Sequence, residues 1–169
     1  MSVSGTFARK IAFSGVIAAL YTALVFVTVE TSFGFMQFRA AEALTLLPFL
    51  FPEAVPGLFI GCMLSNFLSR YGLMDVVIGS SATLLAAVLT AKCKNRWLAA
   101  LPPVLVNALA VGVMIALLDP GLGWGAAPFC VMTVGLGQAA ACFGLGVPLT
   151  YVLEKTGLRR RLSPERRQP

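Results

Sequence analysis

The sequence contains no histidine at all, which removes the commonest general base and the commonest nitrogen ligand for a metal. Charge is scarce too. Asp, Glu, Lys and Arg together make up 12% of the residues, where an ordinary soluble domain carries about 25%. The four cysteines, Cys62, Cys93, Cys130 and Cys142, include no CxxC pair, so neither a zinc site nor a disulfide framework is expected. Three of them lie within apolar runs and read as small buried hydrophobes. There is no GxxxxGK[ST] loop to cradle phosphates, no GxSxG turn and no HExxH helix. A chain without these devices is read as a non-enzyme that uses no cofactor and no metal, and that cannot consume ATP by itself.

What is abundant is hydrocarbon. Hydrophobic residues make up 58% of the chain and the mean hydropathy is +0.86, too apolar for a soluble domain. At about 20 residues per crossing, 169 residues allow six short-looped spans and almost nothing outside the membrane. The expected fold is therefore an all-α integral membrane protein, a six-transmembrane-helix bundle in one domain over residues 1–154. Residues 155–169 form a basic tail, expected to be disordered from about Ser163. The spans read as Ile11 to about Val29, Arg39 to Phe51, Pro56 to about Ser69, Asp75 to near Ala91, Trp97 to Leu118 and Ala126 to Leu153. The second is short for a crossing, which implies tilt or a recessed charged end. The sixth is glycine-rich and is expected to bend near Pro148. The first apolar run is long and lacks a small-residue cleavage site, so a signal peptide is not expected.

Basic residues orient the bundle. Arg9 and Lys10, the Lys92 to Arg96 loop and the C-terminal tail share one side of a six-span chain, which the positive-inside rule makes cytoplasmic, with both termini. The net charge of +6 is spread over span ends instead of one face, so it fits attraction to a lipid bilayer and no nucleic acid is expected as a partner. No internal repeat is visible, so an inverted-repeat transporter plan is not supported.

The polar residues inside the apolar runs carry the chemistry. The stretch Gln37 to Pro56, QFRAAEALTLLPFLFPEAVP, holds Arg39, Glu42 and Glu53. At mid-bilayer an ionised side chain costs about 2.5–3.5 kcal/mol, so such residues pair, face a cavity or bind something. Arg39 and Glu42, three apart, can pair on one helix face. Asn66, Asn107 and Gln138 serve equally well as interhelical hydrogen-bond partners. Asp75 is also placed to complement a helix N-terminus. Glu53 is also suited to a cytoplasmic turn, and Phe33, Phe35, Phe38 and Trp124 to an interfacial aromatic belt. In the first span, Gly15, Ala19 and Ala23 recur every four residues, with Ser14 and Ala18 beside them. That stripe suits close helix packing, either inside this bundle or against a separate membrane subunit.

The order of residues in QFRAAEALTLLP at Gln37 to Pro48, the PEAVPG run at Pro52 to Gly57, and the Gly-Leu-Met-Asp turn that follows resemble the QueT family of queuosine-precursor transporters. These are the substrate-binding S components of energy-coupling factor (ECF) transporters. The resemblance covers about Ile11 to Leu153 and implies a multi-pass protein of the bacterial plasma membrane. The resemblance further implies capture of a 7-deazaguanine near the outer face and work with a membrane coupling subunit and two cytoplasmic ATPase subunits. It also assigns the stripe Ser14, Gly15, Ala18, Ala19 and Ala23 to docking on the coupling subunit.

Within that implication, a carboxylate can accept the adjacent N–H donors of a guanine edge, and Glu42 is the expected acceptor, with Arg39 holding it or contacting O6. Gln37, Asn66, Asn107 and Gln138 are further polar candidates, and Phe38, Tyr71 and Trp124 are candidates for the ring slot. If the guest bears an aminomethyl cation, Asp75 is its natural partner. The segment Glu30 to Phe38, with Gly34 beside three aromatics, is the expected lid. A different vitamin or nucleobase as cargo, or a membrane protein outside transport, are the rival readings. A binding screen and a turnover assay respectively discriminate them.

Overall fold

The computed structural model describes residues 3–33 and 37–157. The centre of the expected lid and all but the first residues of the basic tail lie outside the described residues. Among those described there is no strand. The helices are α1 (Val3–Val27), α2 (Val29–Ser32), a 3-10 helix (Ala40–Leu46) leading into α3 (Leu47–Leu50), α4 (Ala54–Asn66), α5 (Leu73–Lys92), α6 (Arg96–Ala99) and α7 (Leu101–Leu118). A short 3-10 turn (Trp124–Ala126) precedes α8 (Ala127–Ala139), and a π-helical segment (Ala140–Gly146) leads into α9 (Val147–Lys155).

Four helical stretches among the described residues are long and apolar enough to cross a membrane: Phe7–Val27, Leu73–Lys92, Arg96–Leu118 and Trp124–Lys155. Ala40–Leu50 and Ala54–Asn66 are apolar but shorter. At about 2.0 Å per residue in a 3-10 helix and 1.5 Å in an α-helix, each reaches only about 20 Å, against a hydrocarbon core of about 30 Å. The chain nevertheless alternates in direction. Contacts at one end join Phe13 to Phe51, Lys10 to Glu53 and Arg96 to Glu154, and at the other end Arg70 meets Asp119. We refer to these as the basic end and the opposite end.

Three local features depart from the sequence reading. The expected loop from Glu30 is helical as far as Ser32, because the Thr28 hydroxyl donates to the Leu24 carbonyl and meets Ser32 Oγ, bracing the turn across the break at Thr28. The stretch after Arg39 is a 3-10 helix instead of an α-helix. Pro48 has no N–H to give the Leu44 carbonyl, and Thr45 Oγ1 donates to the Glu42 carbonyl three residues back. In the last long stretch, α geometry is lost over Ala140–Gly146, ahead of Pro148, whose missing N–H again frees a carbonyl one turn earlier. The 3-10 and π segments pack on each other: a Cβ on Gly146 would lie 3.1 Å from the Ala43 carbonyl, and Cys142 Sγ lies 3.7 Å from the Glu42 carbonyl. Irregular backbone at membrane depth is tolerated where protein encloses it, and residues 41–48 are all buried.

Around this centre the long helices pack as neighbours, α1 on α4, α4 on α5, α5 on α7 and α7 on α8. The small residues of α1 divide between two faces. Ser14 and Ala18 face α4, where a Cβ on Gly57 would strike the Ser14 carbonyl and one on Gly61 would lie 2.9 Å from the Ala18 carbonyl. Ser14 Oγ donates to the Glu53 carbonyl at 2.5 Å. Gly15, Ala19 and Ala23 point outward, and a Cβ at Gly15 meets nothing within 4 Å. The same one-carbon change therefore has opposite consequences at two glycines. Gly61→Ala should destabilise the protein by about 1–3 kcal/mol through overpacking, whereas Gly15→Ala should change stability by no more than about 0.5 kcal/mol. Thermal unfolding of the detergent-purified variants checks both, and equal melting temperatures would contradict the close α1–α4 contact.

Candidate functional site

At the middle of the bundle the 3-10 helix delivers a carboxylate into an apolar interior. Residues three apart eclipse in this geometry, so Arg39, Glu42 and Thr45 line up along one side. Glu42 is 1% exposed. Tyr21 on α1 donates its hydroxyl to Glu42 Oε1 at 2.5 Å, and Asn107 Nδ2 on α7 donates to Oε2 at 3.4 Å. Arg39 Nη1 lies 3.9 Å from Oε1, and Gln138 on α8 faces the same carboxylate. The Arg39 guanidinium sits 4.8 Å over the Phe33 ring, a cation–π placement, and its Nη1 is 3.9 Å from Cys62 Sγ.

A second polar group continues from Cys62 into α5. Cys62 Sγ is 3.2 Å from Thr83 Oγ1. Asn66 Nδ2 lies 3.5 Å from the same sulfur and donates to the Asp75 backbone carbonyl at 2.9 Å. Asp75 is 2% exposed. Gly79 makes room beside it, since a Cβ there would come within 2.6 Å of Asp75 Oδ1 and 2.7 Å of Asn66 Nδ2. Four buried polar atoms of this interior make no hydrogen bond: Asn66 Oδ1, Ser80 Oγ, Asn107 Oδ1 and Gln138 Oε1. Each such atom costs about 1–3 kcal/mol unless something completes its bonding, and here three are amide oxygens that can only accept.

Toward the opposite end lies a cavity of about 240 Å³ whose walls include Gln37, Arg70, Ile115, Asp119, Phe129 and Thr133. That volume is below the roughly 300 Å³ at which drug-sized pockets begin, and suits a small solute. Glu42 and Asp75 are not among its lining residues. Gln37 connects the two regions, because it lines the cavity and lies two residues before Arg39. It is buried and takes φ of 45°, a left-handed conformation that costs a non-glycine residue about 1–3 kcal/mol. Above the cavity, Arg70 Nη2 donates to Asp119 Oδ2 at 3.0 Å, and Tyr71 OH donates to the same oxygen at 3.2 Å. Burial raises the Tyr71 phenol above its ordinary pKa, so it stays a neutral donor.

Of the residues singled out from sequence, Arg39, Glu42, Asn66, Asp75, Asn107 and Gln138 belong to the buried interior. Gln37 lines the cavity, and Phe38 is half-buried next to Arg39. Tyr71 stands at the opposite end, and Trp124 is 68% exposed and apart from both regions. Glu53 is at the basic end, 3.7 Å from Lys10. Sequence reasoning missed Tyr21, Cys62, Ser80 and Thr83. A tyrosine hydroxyl inside the first apolar run was a usable signal, because a buried phenol needs a partner. Nothing distinguished Cys62 from the other cysteines, all four of which are free thiols.

Comparison with known proteins agrees with the motif. The family model described as QueT transporter matches residues 11–155. A curated relative, the queuosine precursor transporter QueT of Lactococcus lactis subsp. cremoris (strain MG1363), is 38% identical over 71 residues, a match that covers 41% of each chain. No solved structure matches the chain. With the QFRAAEALTLLP run lying at the centre of the buried polar cluster and the family match extending from the first long helix to the last, the chain belongs to the QueT transporter family.

Proposed function

We propose that this protein is the substrate-binding S component of an ECF importer and that it captures a 7-deazaguanine precursor of queuosine. The observation that carries the proposal is the buried interior around Glu42 and Asp75, with its unpartnered amide oxygens. Polar groups of this kind inside a membrane bundle are costly unless a guest completes their bonding. A planar base rich in N–H donors is such a guest. The family match and the name of the Lactococcus relative support the same cargo.

In this reading the four long stretches and the two shorter ones each traverse the bundle, giving six spans. The basic end, with Lys10, Lys92, Lys94 and Arg96, faces the cytoplasm of a bacterial cell and the opposite end faces outward. The solute enters by the cavity at Gln37 and Arg70. Glu42 accepts the donors of the guanine edge in place of its bonds to Tyr21 and Asn107, Arg39 holds the carboxylate or reaches O6, and Asn66, Asn107 and Gln138 supply the remaining polar contacts. Phe38 lies against the ring, with Tyr71 at the entrance. The chain provides no phosphate-binding loop of its own, so the ATPase subunits and the membrane coupling subunit supply the energy. The outward stripe Gly15, Ala19 and Ala23 docks on the coupling subunit, with Ser14 and Ala18 fixing α1 behind it.

Two experiments test these roles. Glu42→Gln should abolish binding of 7-deazaguanines to the purified subunit, measured by isothermal titration calorimetry, while far-ultraviolet circular dichroism stays that of a folded bundle. Unchanged affinity would remove Glu42 from the site, and tight binding of an unrelated vitamin would change the cargo. Ala19→Leu should leave binding by the purified subunit intact but prevent co-purification with the coupling and ATPase subunits and stop uptake in cells. Normal uptake by this variant would place the docking surface elsewhere.

A further inference from the structure

The two oxygens of the Glu42 carboxylate have different surroundings. Oε1 takes the Tyr21 hydroxyl at 2.5 Å and faces Arg39 Nη1 at 3.9 Å. Oε2 takes Asn107 Nδ2 at 3.4 Å. A donor therefore flanks the carboxylate on each side, and the two flanks differ in what else they offer. On the α7 flank the Asn107 amide also presents Oδ1, a buried acceptor without a donor. On the α1 flank the phenol has one proton to give and a cation beside it. Tyr21 is fully buried, and the α4 backbone holds it in place, approaching so closely that a Cβ on Gly61 would lie 2.8 Å from Tyr21 Cβ. Its hydroxyl proton can still swing about the C–O bond while the ring stays where it is.

A guest that takes Glu42 for its own N–H groups deprives Tyr21 and Asn107 of their acceptor. A buried donor left unpaired is costly, so each displaced donor needs a new acceptor. For Tyr21 the protein offers Cys62 Sγ, a weak acceptor already met by Arg39, Asn66 and Thr83. A 7-deazaguanine offers better. Its N1–H and N2–H, which meet a carboxylate together, lie between two acceptors, O6 beyond N1 and N3 beyond N2. That row complements a carboxylate with one donor on either side. The second N2 proton sets which way round the base sits, because Asn107 Oδ1 can accept it, while the positive charge of Arg39 draws the oxo group to the α1 flank. We propose that Tyr21 is a specificity-determining residue of this site: its hydroxyl turns from Glu42 to donate to O6, so that the base lies with its oxo group toward α1 and its amino group toward α7. The inference rests on the 7-deazaguanine reading above and adds to it a contact and an orientation.

Isothermal titration of the full-length protein with 7-deazaguanine, its 6-thio analogue and 7-deazahypoxanthine tests the assignment. Sulfur is the poorer acceptor, so the native protein should bind the 6-thio analogue about 10-fold more weakly than 7-deazaguanine. Tyr21→Phe should draw that ratio toward one, yet leave the preference for 7-deazaguanine over 7-deazahypoxanthine, which lacks the amino group, as it is in the native protein. Asn107→Leu should do the converse. A Tyr21→Phe variant that weakens all three compounds alike and keeps both ratios overturns the assignment, because that is the signature of a merely structural role. A Tyr21→Phe variant that loses the preference for the amino group instead overturns the orientation. If 7-deazaguanine does not bind the native protein, this inference and the 7-deazaguanine reading fail together. If it binds and Tyr21→Phe keeps the oxo-to-thio ratio, only the inference falls.

Discussion

The structure depends on the Glu42 carboxylate held off the bilayer's terms by its own bundle. A carboxylate at membrane depth is stable only where donors enclose it, and the donors here come from α1 through Tyr21, from α7 through Asn107 and from the adjoining Arg39. Three separate parts of the chain therefore converge on one side chain. The 3-10 helix serves the same requirement. Its tighter winding aligns Arg39, Glu42 and Thr45 on one side, and the π segment over Ala140–Gly146 fits against it where a regular helix of the same length would present its side chains differently.

Around that centre, apolar packing supplies the cohesion and glycine sets the distances. Gly57 and Gly61 bring α4 against α1, and Gly112 brings α7 against α8, where a Cβ would lie 2.7 Å from Val131 Cα. Such close approach maximises dispersion contact in a solvent that offers no hydrophobic drive between helices. The polar atoms that remain unsatisfied are concentrated in the interior next to Glu42 and Asp75, with one further atom, Arg96 Nη1, near the basic end. This clustering separates a region built for bonding from a surface built for lipid, on which large apolar residues such as Val27, Phe67 and Leu73 are widely exposed.

Much of this was legible in the sequence, and what was not has physical reasons. Long apolar runs, basic span ends and charges inside apolar stretches follow from composition and spacing alone, so the helical membrane class and the burial of Arg39, Glu42 and the interior amides were accessible. Backbone type was not, because the shift to 3-10 geometry comes from Pro48 acting together with Thr45, and the π segment from Pro148 within a glycine-rich stretch. Periodicity also could not tell that Ser14 and Ala18 face α4 while Gly15, Ala19 and Ala23 face outward, since both sets share the same four-residue spacing. Tyr21 was missed for a similar reason: its ring suits an apolar run, and only tertiary contact shows where its hydroxyl points.

The ties at the two ends of the bundle differ in a way that bears on motion. At the basic end, Lys10 is joined to Glu53 and Arg96 to Glu154, with Arg96 also stacked 3.6 Å over the Tyr151 ring. Over the cavity, Arg70 pairs with Asp119, which also accepts from the Tyr71 hydroxyl, and the Arg70 side chain is 62% exposed. An ion pair so open to water contributes about 0–1 kcal/mol and weakens as salt rises. Lys10 at the basic end is half exposed as well, whereas Arg96 and Glu154 are only 19% and 31% exposed, so salt screening loosens the loops over the cavity more than it loosens the Arg96 tie.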